Sequence, residues 1–535
     1  MTAFLQQTIS PALPVILWLG RALVSGLAVW LLVRCCKSLF RGRDRESWGF
    51  VTLSNGARYE LYHWENVIGR ARRADIRVNF PSVSRTHAIL QRDDGGIWRV
   101  DPINRSSGVL LNGKRTLEPA NLNPGDSIAL GGVELFFFPS EQPQHTGQPK
   151  KRPSPVGSLW LLTFIQLLLW GQFAPGFGAE NIYPVSAGFF GLCGLGWVLY
   201  GVSRRLHRRQ FDLETLALLL ATVGFAITAA WDPGALYKQL AAVALGMGIY
   251  GTLVWLLGRL QLAVKLRWPA AGLAAALLAF NVVMGERIFG AKNWISVGPI
   301  SFQPSELAKF SLMIWTADML DRDYDKKNRL WYGAIKPALP LLPILYLLHK
   351  EPHNSAMILL CLIFATMLIC TLSPGRWLLP LVPACAVVGA YFLKGLAGGE
   401  GYAAGRMDST WGLAPLDTAG MLWQTRQSIY AISTGGMFGV GIGASVQKHQ
   451  WLPYAENDFI FGVIGEELGF FGCVILIGAF AVLLIMGIMI ALRAPDLYGT
   501  VLGIGIISQI AWQVFLHIAV GTALIPNTGI SLPFF

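Results

Sequence analysis

The chain has 535 residues, a formal net charge of +12, 53% hydrophobic residues and only 14% charged ones, with a mean hydropathy of +0.48. That balance excludes an ordinary soluble domain and predicts a protein that crosses a membrane several times. The positive charge does not point to nucleic acid, because Lys and Arg fall in short clusters beside apolar runs, as membrane orientation signals do.

The first apolar run, roughly residues 11–33, is too long for a signal-peptide core and lacks a small-residue cleavage site, so residues 1–46 are read as a retained anchor with a basic flank. Arg34, Lys37, Arg41, Arg43 and Arg45 place the chain from residue 34 onward in the cytoplasm. Over residues 47–140 the pattern changes to short alternating segments, ARYELYHW, IWRVD and VELFFF, separated by NG, DDGG, PGD and GG turns, which predicts an all-β sandwich. Residues 141–156, containing EQPQHTGQPKKRPSP, form an extended linker. Residues 157–209 hold a hairpin of two spans that closes on the basic run RRLHRRQ. From 210 to 535 further spans are expected near 211–231, 235–258, 266–285, 305–320, 336–349, 355–372, 377–394, 459–492 and 498–525. With the β domain inside, two crossings bring RRLHRRQ back inside; DRDYDKKNR at 321–329 is then also inside, while the 285–299 and 395–425 loops face out. The fold class is therefore mixed, a polytopic α-helical membrane bundle plus a cytoplasmic all-β sandwich. Seven cysteines are scattered, mostly through apolar runs and without a CxxC pair, so they read as packing residues.

The β segment contains IGR at 68–70, ADIRV at 74–78, SVSRTHAIL at 82–90, LLNG at 110–113 and PGDSIALG at 124–131. In this order the set resembles a forkhead-associated (FHA) domain, a reader of phosphothreonine. Such a ligand brings about two negative charges and three acceptor oxygens, and needs an Arg fork and hydroxyl donors on rigid loops. The resemblance implies that Arg70, Ser84 and Arg85 hold the phosphate, that His87 buttresses the loop, and that Asn112 with Gly113 shapes the recognition turn. Ser107 stands where the family usually has Asn, with Ser106 beside it as a further donor.

Ionisable groups at membrane depth are costly and mark paired or functional positions. Glu306 and Lys309 share a helical face and can neutralise each other. Asp458, Glu466 and Glu467 open a late span, with Lys448 close by, and are expected to shape a cavity. Glycines at 435, 436, 439, 441 and 443 suit a bent, closely packed segment. Asp417 and Asp408 lie in the external loop; taken alone, Asp417 before Thr-Ala-Gly reads as a turn former.

The stretches GAKNWISVGPISFQPSELAKF, RQSIYAISTGGMFGVGIGASVQKHQWLPYAENDFIFGVIGEELGFFG and NTGISLPFF resemble the SEDS family (FtsW, RodA, SpoVE) over residues 210–535. The resemblance implies a peptidoglycan glycosyltransferase that polymerises lipid II at the outer face of the cytoplasmic membrane. Its catalytic carboxylate would be Asp417, ten residues before Gln427. Lys292, Gln303, Glu306, Lys309, Arg406, Arg426, Gln427, Ser428, Lys448 and Asp458 would line the substrate path. A divalent ion, Mg or Mn, is the cofactor that diphosphate chemistry admits. The implied partners are lipid II and the growing lipid-linked glycan, a class B penicillin-binding transpeptidase and a Thr-phosphorylated protein, with no nucleic acid. Asn293, His353 and Tyr454 depart from the family pattern, and the family continues past LPF with a further span that this sequence is expected to lack. A lipid II flippase and a non-catalytic phospho-dependent scaffold are the alternative readings.

Overall fold

The computed structural model describes residues 13–41, 46–71, 74–93, 96–103, 108–145, 154–173, 179–206, 210–257, isolated positions between 269 and 280, 286–288, 291–297, 300–326, 329–351, 354–371, 421–452, 455, 457–494, 496–525 and 529–535. The chain divides into two compact units, one of Met1–Leu39, Pro153–Ile488 and Leu502–Phe535, the other of Phe40–Arg152 and Met489–Val501.

The β unit contains β1 (Glu46–Leu53), β2 (Arg58–Glu60), β3 (Glu65–Gly69), β4 (Ile76–Arg77), β5 (Ala88–Arg92), β6 (Trp98–Pro102), β7 (Val109–Leu111), β8 (Lys114–Thr116), β9 (Ala120–Leu122), β10 (Ser127–Leu130) and β11 (Val133–His145). They form a six-stranded sheet, β2-β1-β11-β10-β7-β8, and a five-stranded sheet, β4-β3-β5-β6-β9. Alternate residues of β6, Trp98, Val100 and Pro102, are buried while Arg99 is exposed, the period of a half-buried strand. Val51, Ile68, Leu90, Val100, Ile128, Leu135 and Phe137 share one core between the sheets, and the Trp98 ring meets Phe137 edge-on at 5.5 Å. The expected sandwich is what forms.

The helical unit runs through α1 (Leu13–Arg41), α2 (Pro155–Phe173), α3 (Ala179–Arg205), α4 (Asp212–Trp231), α5 (Ala235–Leu257), a three-stranded antiparallel meander of β12 (Glu286–Ile288), β13 (Ala291–Val297) and β14 (Ile300–Phe302), then α6 (Pro304–Arg322), α7 (Leu341–Lys350), α8 (Asn354–Thr371), α9 (Met421–Gly435), α10 (Gln447–Gln450), α11 (Ile460–Ala491) and α12 (Leu497–Gly521). Among the described residues, seven helices are long and apolar enough to cross a membrane: Trp18–Leu39, Pro155–Phe173, Asn181–Arg205, Asp212–Trp231, Trp331–Lys350, Ile460–Ala491 and Leu497–Gly521. The protein is a multi-pass membrane protein. The span expected over 336–349 begins earlier, with a π turn at Trp331–Ile335, and Pro337 and Pro340 interrupt its backbone ladder because proline has no N–H. The loop expected at 285–299 is instead largely the β12-β13-β14 meander. The expected spans at 266–285, save isolated positions, and 377–394 lie outside the described residues.

The anchor α1 is part of the bundle. Leu31, Leu32 and Cys35 join the core of α2 and α4, the Ser38 hydroxyl donates to Asp212 at 2.5 Å, and Arg34 donates to Ser158 Oγ and the Ser154 carbonyl.

One backbone crossing organises the second half of the helical unit. Gly469 takes φ 69°, ψ −169°, which breaks α11. In a continuous helix the N–H groups of Phe470 and Phe471 would donate to Glu466 and Glu467. Here they donate to the carbonyls of Gly436 and Met437, and the Glu466 and Glu467 carbonyls accept Val440 and Gly441 N–H groups at 2.9 and 3.0 Å. The turn after α9 is thus inserted into the break of α11, and the four backbone groups that the break frees all find partners in it. Only glycine permits the contact: a Cβ on Gly439 would lie 2.2 Å from the Glu467 carbonyl oxygen, and one on Gly435 would lie 2.0 Å from that of Gly465.

Gly439→Ala therefore combines a left-handed φ of 78° with a backbone collision, and is expected to destabilise by more than about 2 kcal/mol. Gly436→Ala, with φ 55° and nothing within 4 Å of the new Cβ, should cost about 1 kcal/mol. Thermal unfolding of the two purified variants in detergent checks the order.

Candidate functional site

The inserted turn builds a side-chain cluster beside it. Glu466 accepts the Ser445 hydroxyl and the backbone N–H groups of Val446, at 3.0 Å, and Gln447, at 3.3 Å. Ser445 Oγ in turn accepts the Lys448 N–H at 3.2 Å. Lys448 Nζ pairs with Glu467 Oε1, and the two side chains are 1% and 0% exposed. Glu466 thereby ties down the start of α10 while Glu467 neutralises the one cation that α10 buries. Next to this cluster lies a cavity of about 320 Å³ lined by Gly443, Ala444, Ser445, Val446, His449 and Trp451. The His449 ring stacks on Trp231 at 5.8 Å, and Trp423 Nε1 donates to the Trp451 carbonyl at 2.7 Å.

The structure therefore unites Lys448 with Glu466 and Glu467. Asp458 is half-buried just ahead of α11. Gln427 and Ser428 are both buried on α9. The Ser428 hydroxyl donates to the Gly521 carbonyl at 2.7 Å, and Gly462 leaves room for it, since a Cβ there would lie 2.7 Å from Ser428 Oγ. Ser428 thus joins α9 to α11 and α12, whereas Arg426 is exposed on α9. Lys309 Nζ meets Glu306 Oε1 at 2.6 Å on α6, with side-chain exposures of 2% and 46%, the pairing that their spacing predicts. Gln303 sits at the start of the same helix, and Lys292 lies on β13. Asp417, Asp408 and Arg406 lie outside the described residues, as do His353 and Tyr454.

One neighbour was not singled out from sequence. Arg21 of α1 lies against the glycine turn: its guanidinium occupies the space a Cβ on Gly441 would fill, and Nη1 reaches the Val440 carbonyl at 3.5 Å. The available signal was that Arg21 is the only charged residue in the first apolar run.

In the β unit, a glycine-dependent approach joins the segment after β3 to the one before β5. Arg70 and Ala71 N–H groups donate to the Ser84 and Arg85 carbonyls at 2.9 and 3.0 Å, and a Cβ on Gly69 would lie 2.2 Å from the Arg85 carbonyl oxygen. His87 is buried; its Nδ1 accepts the Ser84 N–H at 3.1 Å and its Nε2 lies 3.0 Å from the Gly108 carbonyl. The ring is therefore the neutral Nε2–H tautomer and clamps two loops together. Asn112, at φ 50°, accepts the Ser127 N–H and donates to Asp126, both at 2.9 Å, which fixes the β7–β8 turn. Arg70 and Arg85 are exposed beside these clamps; Ser106 and Ser107 lie outside the described residues.

The arrangement defines a polytopic membrane protein that also carries a β-sandwich domain. The family model of the FtsW, RodA and SpoVE cell cycle proteins matches residues 215–535, and the chain belongs to that family. The FHA domain model matches residues 66–131. A probable peptidoglycan glycosyltransferase FtsW of Trichlorobacter lovleyi is 32% identical over 347 residues, covering 61% of this chain and 87% of that relative. The stage V sporulation protein E of Bacillus subtilis is 36% identical over 256 residues, covering 46% of this chain and 66% of its own length. Among solved structures, one chain of a peptidoglycan synthase complex that coordinates polymerization and crosslinking matches with a TM-score of 0.50 and 29% identity, over 61% of this chain and 91% of that one.

Lys448→Met alone leaves Glu467 buried without its cation and should destabilise by about 3–5 kcal/mol. Lys448→Met combined with Glu467→Leu should recover most of that loss, measured as a double-mutant cycle on unfolding in detergent.

Proposed function

We propose that the chain polymerises lipid II into glycan strands at the outer face of the cytoplasmic membrane, and that its FHA domain ties this activity to a Thr-phosphorylated protein. The observation that carries the reading is the family match across 215–535, in a chain whose loop before α9 brings Asp417 ten residues ahead of Gln427. Asp417 takes the proton of the acceptor sugar's 4-hydroxyl as that oxygen forms its bond to the anomeric carbon of the lipid-linked donor, and the bond from that carbon to the diphosphate breaks. A diphosphate is a good leaving group, so this displacement does not need the second carboxylate of a glycoside hydrolase. Pairing supports the choice of base: Glu466, Glu467, Glu306 and Asp318 are each engaged by hydrogen-bond or ion partners within the helical unit.

The leaving diphosphate carries negative charge that cations stabilise. Arg426, exposed on α9, and Lys292 and Arg406, in the external segments, serve this role, with Gln427 and Gln303 as hydrogen-bonding groups on the substrate path. A Mg or Mn ion bound mainly through the diphosphate oxygens would add charge neutralisation; among the described residues there is no cluster of three or more His, Cys, Asp or Glu side chains that could hold a metal.

The basic flank after α1 orients the FHA domain to the cytoplasm and the Asp417 loop to the outside. A class B penicillin-binding transpeptidase is the expected membrane partner, in keeping with the synthase complex that the helical unit resembles. Arg70, Ser84 and Arg85, with Ser106, Ser107 and Asn112 around them, form the phosphothreonine site. Helix α1, whose Arg21 reaches the glycine turn, ends five residues before β1, so the regulatory domain is joined along the chain to an element that touches the family domain.

Purified full-length protein supplied with lipid II and a candidate transpeptidase is expected to make glycan chains, resolved by length on a gel. Asp417→Asn should lower the rate by about 10²–10⁴-fold while leaving expression and folding unchanged. Equal turnover in the variant would move the base elsewhere, with Asp408 next, and failure of both to make polymer would favour the flippase or scaffold readings. Separately, Arg70→Ala should weaken binding of a phosphothreonine peptide to the full chain by roughly tenfold or more, measured by fluorescence anisotropy, with intrinsic polymerisation unchanged.

A further inference from the structure

Helix α3 belongs to the hairpin that precedes the family-matched region, and it packs against α5 unevenly. At one end the two helices touch: a Cβ on Gly191 would fall 2.5 Å from Leu240, and one on Gly188 3.2 Å from Leu236. Toward the other end they part and leave a groove of about 530 Å³, walled by Val198 and Val202 of α3, by Leu206 just after it, and by Met247, Gly248 and Gly251 of α5. The groove is open because α5 presents glycines to it; a Cβ added at Gly248 or Gly251 would meet nothing within 4 Å. Its walls are largely apolar and lie on helices of membrane-spanning length, so a hydrocarbon chain fits it.

The chemistry changes at the open end. Ser203 and Leu206 line the groove, and between them Arg204 and Arg205 are exposed at the end of α3. The basic run continues in the sequence through Arg208 and Arg209. Glu214 of α4 accepts the Tyr250 hydroxyl at 2.5 Å and keeps its charge, but the four arginines of the run outnumber Asp212 and Glu214, so the stretch carries a positive excess. Guanidinium groups bind phosphate oxygens in a two-pronged manner and are the side chains suited to this position.

We propose that this groove is a binding site for an anionic phospholipid, one acyl chain lying between α3 and α5 and the headgroup phosphate held by Arg204 and Arg205. The site does not depend on the polymerase reading. It gives the hairpin a role of its own, to hold a lipid against the first helices of the family domain.

The test uses full-length protein in a nonionic detergent, titrated with phosphatidylglycerol or with phosphatidylcholine of identical acyl chains, and reads the thermal midpoint and the lipid retained in native mass spectra. Phosphatidylglycerol is expected to raise Tm by at least roughly 2 °C more than phosphatidylcholine and to remain bound. Arg204→Gln with Arg205→Gln should remove that preference. Gly248→Phe, or Gly251→Leu at the second open position, should remove the response to both lipids. An equal response to both lipids in the unaltered protein, or a phosphatidylglycerol preference that survives both the arginine and the glycine changes, would overturn the proposal. So would a groove-filling variant that shifts the protein from dimer to monomer without any change in lipid retention, since that outcome assigns the groove to a second copy.

Discussion

The exchange of backbone hydrogen bonds between the turn after α9 and the break in α11 is the constraint on which the second half of the helical unit depends. A helix inside a membrane cannot open its ladder unless something else satisfies the released groups. Here the carbonyls of Glu466 and Glu467 and the N–H groups of Phe470 and Phe471 are all taken by residues 436–441. The crossing sets the direction in which the chain leaves α9, and it places Ser445 and Lys448 over the Glu466 and Glu467 side chains. The same crossing seats Gly441 against Arg21 of the anchor. One contact thus ties together the anchor, the α9 helix and the cavity beside His449 and Trp451.

Electrostatics divides the polar groups of the helical unit into two sets. Lys448 with Glu467, and Lys309 with Glu306, are neutralised by short local pairs. In a low-dielectric interior such pairs are weak contributors to net stability, but breaking one leaves a costly uncompensated charge. They hold shape. The cation Arg426, by contrast, is exposed on α9.

Much of this organisation was legible in the sequence. Turn dipeptides spaced between alternating segments announced the sandwich, and apolar runs announced the helices, because both signals are local. The pairing of Glu306 with Lys309 followed from spacing on one helical face, and the buttressing place of His87 followed from the resemblance to a known reader. Other features were hidden because they depend on distant segments. Gly435 and Gly439 read as part of a bent, closely packed segment, yet nothing local shows that residues 436–441 enter the gap in α11 at Gly469. The β12-β14 meander escaped because its strands are short and lie within a segment read only as a connection between spans. Arg21 was visible as an isolated charge, but its partner lies 420 positions further on, at Gly441.

Amide hydrogen exchange of the full-length protein, resolved to peptides covering 436–446 and 462–475, tests the central structural interaction most directly. The inserted turn predicts that the amides of Val440, Gly441, Phe470 and Phe471 exchange slowly and together, with protection like that of the apolar core of α11. Rapid exchange of residues 436–441, at the rate of an exposed loop, with α11 protected continuously through Gly469, would contradict it.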